Sequence, residues 1–268
     1  MKLGMSSLSI DGFGDEDFAR SFEFAAALRV HYLELNLWYP RNIVSGGVRS
    51  LERRLTDTGI GVTSLHMTAL GGDDHKEASE SLAHKMRGLD IAAELGAEVL
   101  CFPAAPAGTR GGITAVATLL EHLLPHAAQV GVSIALENHD RFNVESIEHC
   151  RFLLERFNDS RFGICADVGH FHAAGIRAFD VADQLSHRIS HIHLKDNASL
   201  GVHKFVPFGE GTAANGAFVR RMIEIGYDGA IVIEPSPTSL KLENRDVHLA
   251  QLRRAVEEFS VIVGEAAN

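Results

Sequence analysis

The sequence predicts an α/β protein, a single (β/α)8 barrel over residues 1–268. Three observations carry this. Eight short apolar, β-rich runs alternate strictly with longer helical patterns, and 268 residues suit one closed parallel barrel, which typically needs about 250. In LGAEV, VGVSI and IGYDG, the glycines Gly96, Gly131 and Gly226 stand just after a helix and before the next strand. No linker and no strong internal repeat divides the chain.

In chain order the strand-like runs cover residues 3–9, 32–37, 61–66, 99–102, 133–137, 162–167, 189–194 and 230–234. Between and after them, helical patterns cover residues 15–28, 47–57, 76–95, 113–129, 144–156, 178–185, 217–225 and 245–263. The main alternative is a doubly wound open sheet. That fold wants a glycine-rich phosphate loop after the first strand, and SIDGFGDED fits GxGxxG poorly.

The apolar fraction of 46% and charged fraction of 22% are ordinary for a globular chain, and the length suffices for a large core. The formal charge of −10 argues against nucleic acid, because neutralising phosphates supplies much of that affinity. Cys101, Cys150 and Cys165 form no CxxC pair; Cys101 and Cys165, inside strand-like apolar runs, read as buried free thiols, and an odd count with no framework suits a reducing compartment. The N-terminus begins like a first strand rather than a signal peptide, and no run reaches the roughly 18 apolar residues of a membrane span. The expectation is a cytoplasmic protein.

In such barrels the chemistry gathers at the C-terminal ends of the strands. Run two ends in Glu34, Asn36 and Trp38, and run three in His66. Run five ends in Glu137, Asn138 and His139, run six in Asp167, His170 and His172. Run seven ends in His191, His193, Lys195 and Asp196, run eight in Glu234. Alternation puts His191, His193 and Lys195 on one face. Glu137, Asp167, His193 and Glu234 form an O/O/N/O set. Such a set favours a hard or borderline ion, Mn2+ first and Mg2+ or Co2+ as alternatives, over a thiolate-type zinc site. Each of the four could instead cap a helix or pair with a base. Four on consecutive strand ends are poorly explained that way.

The other candidates have bland readings beside the functional one. His170 could hold a backbone group, His66 could pack, and Lys195 could be solvated. Trp38, Phe142 and Phe208 could stack on a sugar or pack in loops. His122, His126 and His149 lie on helices and read as surface or packing residues. Glu210 sits between Gly209 and Gly211, which suggests a loop in close approach to the site.

The motifs ALENH, DVGH, HIHLKD, PFGEG and GYDGAIVIEPS, in this order and spacing, resemble the sugar phosphate isomerase/epimerase-like proteins of the xylose isomerase-like barrel superfamily. The resemblance spans nearly the whole chain. It implies one Mn2+-like ion on Glu137, Asp167, His193 and Glu234, as in ketose 3-epimerases. It also implies Glu137 and Glu234 as the acid/base pair and His170 as a substrate contact. Lys195, His66, Asn36, Trp38 and His139 complete the expected substrate-binding set. The implied activity is a metal-dependent sugar isomerase or epimerase working on a ketose by proton transfer through a metal-held cis-enediolate.

The alternative is a lyase of the inosose or dehydroshikimate dehydratase kind, in which a β-hydroxyl leaves. A type IV apurinic endonuclease is a lesser reading. VLCFPAAP and HKFVPFGEG lack its extra ligands, although His66 matches and His203 keeps the comparison open. A barrel that binds sugar without turnover is the remaining one. The implied partner is a small-molecule sugar or keto-polyol, with no nucleic acid and no membrane. Assembly into a homo-oligomer is compatible with such barrels.

Overall fold

The computed structural model describes residues 1–265, so the last three residues of the expected 1–268 domain lie outside the described residues. Seven parallel strands, β1 (Lys2–Ser6), β2 (Tyr32–Asn36), β3 (Gly61–His66), β4 (Val99–Pro103), β5 (Ser133–Glu137), β6 (Phe162–Asp167) and β7 (Ile189–Leu194), follow in sequence. Two short strands, β8 (Asp196–Asn197) and β9 (Phe205–Val206), pair antiparallel beside them. Then β10 (Ala230–Ile233) pairs with both β7 and β1 and closes the barrel. This is the (β/α)8 barrel that the alternation of runs predicts.

The eight helical patterns all form helices, seven of them with shifted ends. Ala178–Leu185 matches its expected span. The first helix starts at Ala19 rather than near residue 15. Asp15 stays outside it, its carboxylate accepting the backbone N–H groups of Arg20 (2.6 Å) and Ser21 (2.9 Å). Gly96, Gly131 and Gly226 end their helices at φ of 72°, 79° and 97°. Three short helices escape the sequence reading: Pro40–Ile43, Val168–Ala173 and Pro237–Leu240. Two of them open on proline, whose fixed φ suits the first helical position.

Strand ends decide where the polar side chains go. The first run was expected to reach residue 9, but β1 stops at Ser6, whose hydroxyl accepts from Leu8 N–H (3.2 Å) and caps a 3-10 turn over Ser7–Ile10. The last strand stops at Ile233, so Glu234 follows the strand rather than ending it. The pairing register slips by one residue at two places, between Leu33 and Glu34 in β2·β3 and between Ile164 and Cys165 in β6·β7. Such irregularities turn side chains relative to the regular alternation.

Candidate metal centre at the barrel mouth

Glu137 and Asp167 are the last residues of β5 and β6, His193 is the next to last of β7, and Glu234 follows β10. Asp167 and His193 are register partners across β6 and β7. One ligand-capable atom from each of the four lies within 4.8 Å of the others. All four are buried, Glu137 being the most exposed at 3%. His193 Nδ1 is 3.0 Å from Glu137 Oε1, 3.2 Å from Glu234 Oε2 and 4.0 Å from Asp167 Oδ2.

Three carboxylates in a dry space require positive charge. Lys195 supplies part of it: its Nζ is 2.9 Å from both Asp167 Oδ2 and Glu234 Oε2. Burial opposes the Lys195 charge, yet Asp167 and Glu234 hold its pKa well above the usual lysine value. Burial likewise disfavours charge on His193, and Glu234 and Glu34 more than reverse this. Burial would raise Glu234; His193 and Lys195 outweigh it and bring it to about 2. Glu137 is held low, against burial, by hydrogen bonds from His193 and His66. Burial wins only at Asp167, which rises to about 7 despite Lys195. Its Oδ2 makes no hydrogen bond, although the Lys195 ammonium stands 2.9 Å away.

A divalent cation fits this donor set. Three carboxylates and one imidazole converge, one carboxylate oxygen lacks a hydrogen bond, and an ammonium already stands among them as the cation.

The remaining candidates fall into distinct groups. His66 Nε2 is 3.2 Å from Glu137 Oε2, and Trp38 Nε1–H donates to His66 Nδ1 (3.3 Å). Asp167 caps the helix Val168–Ala173 by accepting from His170 N–H (2.8 Å). His170 Nδ1–H then donates to Asp140 Oδ1 (2.6 Å), which leaves Nε2 to accept from Lys195 Nζ at 3.3 Å. His139 stacks on His170, ring centroids 3.6 Å apart, and on Phe142 at 4.0 Å. A cleft of about 360 Å³ is lined by Trp38, His66, Glu137, His139, His170 and Glu234 among others.

Asn36 reaches the centre only through Ser6: its amide oxygen accepts from Ser7 Oγ–H and Leu8 N–H, and the Ser6 hydroxyl lies between it (2.9 Å) and Glu234 Oε1 (3.2 Å). Phe208 packs on Phe259, and His126 pairs with Asp90. Glu210 is exposed, while the N–H groups of Gly209 and Gly211 donate to Asp196 Oδ2, both at 3.0 Å. That contact explains why aspartate follows lysine in HIHLKD and why PFGEG returns to it: a Cβ on Gly211 would sit 2.3 Å from Asp196 Oδ1.

Sequence reasoning missed two residues. Asp140 joins His170 to His203, whose Nδ1–H donates to Asp140 Oδ2 at 2.6 Å. ENHD gave a signal, an acid beside a strand-end histidine, but nothing to say which histidines it meets. Glu34, noted only as a polar strand residue, is fully buried against His191 and His193.

Fold and centre together define a TIM barrel with a buried carboxylate–imidazole cluster at the C-terminal strand ends. A profile of the xylose isomerase-like TIM barrel family matches residues 20–257, and the chain belongs to that enzyme family. Among curated relatives, the L-ribulose-5-phosphate 3-epimerase UlaE of Escherichia coli O1:K1 is 26% identical over 200 residues, covering 69% of this chain and 68% of its own. Among solved structures, the IolI protein with a bound zinc atom superposes at TM-score 0.81 with 19% identity, covering 99% of both chains. A magnesium complex of a xylose isomerase-like barrel protein from Mycobacterium smegmatis gives TM-score 0.73 at 16% identity, covering 95% of this chain and 97% of that one. These structures share the fold.

Proposed function

We propose that this protein is a divalent-metal-dependent sugar epimerase or isomerase acting on a small ketose. The metal would be held by Glu137, Asp167, His193 and Glu234, with Mn2+ preferred. The observation that carries the reading is the pair Glu137 and Glu234, both within 3.2 Å of His193 Nδ1 yet brought there by different strands, β5 and the segment after β10, and separately tied, the first to His66 and the second to Lys195. The relative named as an L-ribulose-5-phosphate 3-epimerase supports the same class of chemistry.

A bound divalent ion would supply Lewis-acid polarisation of the substrate carbonyl. Glu137, held ionised by the hydrogen bond from His66, accepts the proton next to that carbonyl. Glu234, ionised at rest, takes a proton from the Lys195 ammonium 2.9 Å away and delivers it to the other face, so the carbon inverts and the proton taken by Glu137 returns to solvent. Return to the neighbouring carbon would give isomerisation. Lys195 and His170 hold substrate hydroxyls, and Trp38, His139 and Phe142 wall the cleft against water.

Proton NMR of a pool of ketoses in D2O, with enzyme and with or without Mn2+, tests this. The expected result is metal-dependent loss of a C–H signal next to a carbonyl and the appearance of a new sugar. Glu137→Gln and Glu234→Gln are each expected to lower turnover by about 100-fold or more with the fold intact. A vinylic product would replace this reading with a dehydratase, and normal turnover by either variant would end the assignment of the pair.

A further inference from the structure

On the side of His193 facing away from the cluster lies a second polar group: Glu34, Ser64 and His191, each 0% exposed. Glu34 Oε2 receives three donors, Ser64 Oγ–H at 2.7 Å, His191 Nε2–H at 2.9 Å and His193 Nε2–H at 3.0 Å. His193 therefore touches both groups, Glu34 through Nε2 and the carboxylates of the centre through Nδ1.

Two features show that this arrangement is built rather than incidental. The slip in β2·β3 sets Glu34 opposite Ser64, and the slip in β6·β7 sets His191 opposite Cys165. The two irregular registers of the barrel thus fall on the members of this one group. The group also leaves Glu34 Oε1 and His191 Nδ1 buried without a hydrogen bond, a cost the fold would shed if an apolar residue served as well.

A histidine ligand presents one ring nitrogen to a metal while the other N–H is held by a carboxylate, which fixes both tautomer and ring plane. We propose that Glu34 is the positioning residue of the centre: it holds His193 as the Nε2–H tautomer, so that the Nδ1 lone pair faces a divalent cation among Glu137, Asp167 and Glu234. Ser64 and His191 keep the Glu34 carboxylate turned toward His193. The inference rests on the metal-centre reading above and adds the residue that orients its single nitrogen ligand.

Binding of Mn2+ to chelator-stripped protein, followed through the electron paramagnetic resonance signal of the free ion, tests it without any substrate. Glu34→Gln is expected to weaken Mn2+ by about 10- to 100-fold while its metal-free form still melts cooperatively. Wild-type affinity in a folded Glu34→Gln protein overturns the proposal. Loss of a buried negative charge would itself weaken a cation, so a second measurement reads the tautomer. Long-range proton–nitrogen correlation spectra of the Zn2+-loaded wild type are expected to show His193 coordinated through Nδ1 and protonated at Nε2. The reverse assignment overturns the proposal even where Glu34→Gln fails to fold. Absence of Mn2+ binding by the wild type overturns the metal centre with it; normal wild-type binding beside an unchanged variant overturns the Glu34 role alone.

Discussion

Gly169 lies so close to Lys195 that a Cβ on it would sit 2.4 Å from Lys195 Cγ and 2.9 Å from the Lys195 carbonyl oxygen. The helix Val168–Ala173 can start directly at the mouth because no side chain intervenes between it and the segment after β7. DVGH and HIHLKD are thus two halves of one contact. The glycine admits the lysine stem, the lysine reaches Asp167 and Glu234, and His170 closes over its ammonium at 3.3 Å.

Gly169→Ala should therefore harm both stability and the site. The backbone oxygen and the lysine stem cannot both yield, and overpacking of this kind typically costs about 1–3 kcal/mol. Thermal melting should fall by several degrees, and turnover should fall with it, because Lys195 and His170 are displaced together. An unchanged melting temperature would mean that the helix start shifts freely.

Asp140→Asn should reduce catalysis without loosening the metal. Asp140 is not among the four clustered ligands, but it accepts from both His170 and His203 at 2.6 Å. Burial would raise its pKa; the two histidines outweigh this and hold it down to about 2. Hydrogen bonds to a charged group are worth about 1.5–3 kcal/mol each. The variant should lose about 10- to 100-fold in kcat/KM while Mn2+ affinity stays at the wild-type value. A matching loss of metal affinity would show that Asp140 supports the centre itself rather than the substrate side.

Lys85 predicts a pH dependence of stability. It is 1% exposed, and its ammonium reaches the Ala69 carbonyl (2.9 Å) with no carboxylate partner among the described residues. Burial lowers its pKa to about 7. The folded value lies below the unfolded one, so between about pH 7 and 10 the unfolded chain holds a proton that the folded chain lacks. Stability from this group accordingly rises with pH across that window. Lys85→Met should remove the rise, so its stability relative to the wild type should be greater at pH 7 than at pH 9.5, offset at both by the lost hydrogen bonds to Ala69, Thr68 and Ser81. Urea unfolding of both proteins at pH 7 and 9.5 measures the difference in slope; equal slopes would show that Lys85 stays charged in the fold.

The barrel and the four clustered side chains of the candidate centre were legible in the chain. Alternating runs, helix-ending glycines and four metal-competent side chains on four consecutive strand ends follow from local periodicity, because strand alternation and helix caps depend on neighbours in sequence. The buried thiols Cys101 and Cys165 were legible for the same reason, while the burial of Cys150, on a helix, was not read from the sequence. The last turn of each strand was not: whether β1 runs to Ser6 or to residue 9 depends on Ser6, Ser7 and Asn36 meeting across two strands.

The sequence by itself marked the polar residues that close the apolar runs, and so named Glu137, Asp167, His193 and Glu234 as candidates. Only the tertiary structure decided that Glu34, 159 residues before His193, would share a hydrogen bond with it, and that Asp140 would link His170 to His203. Those contacts depend on ring closure and on one-residue slips in register, which set the relative heights of distant strands and leave no local pattern in the chain.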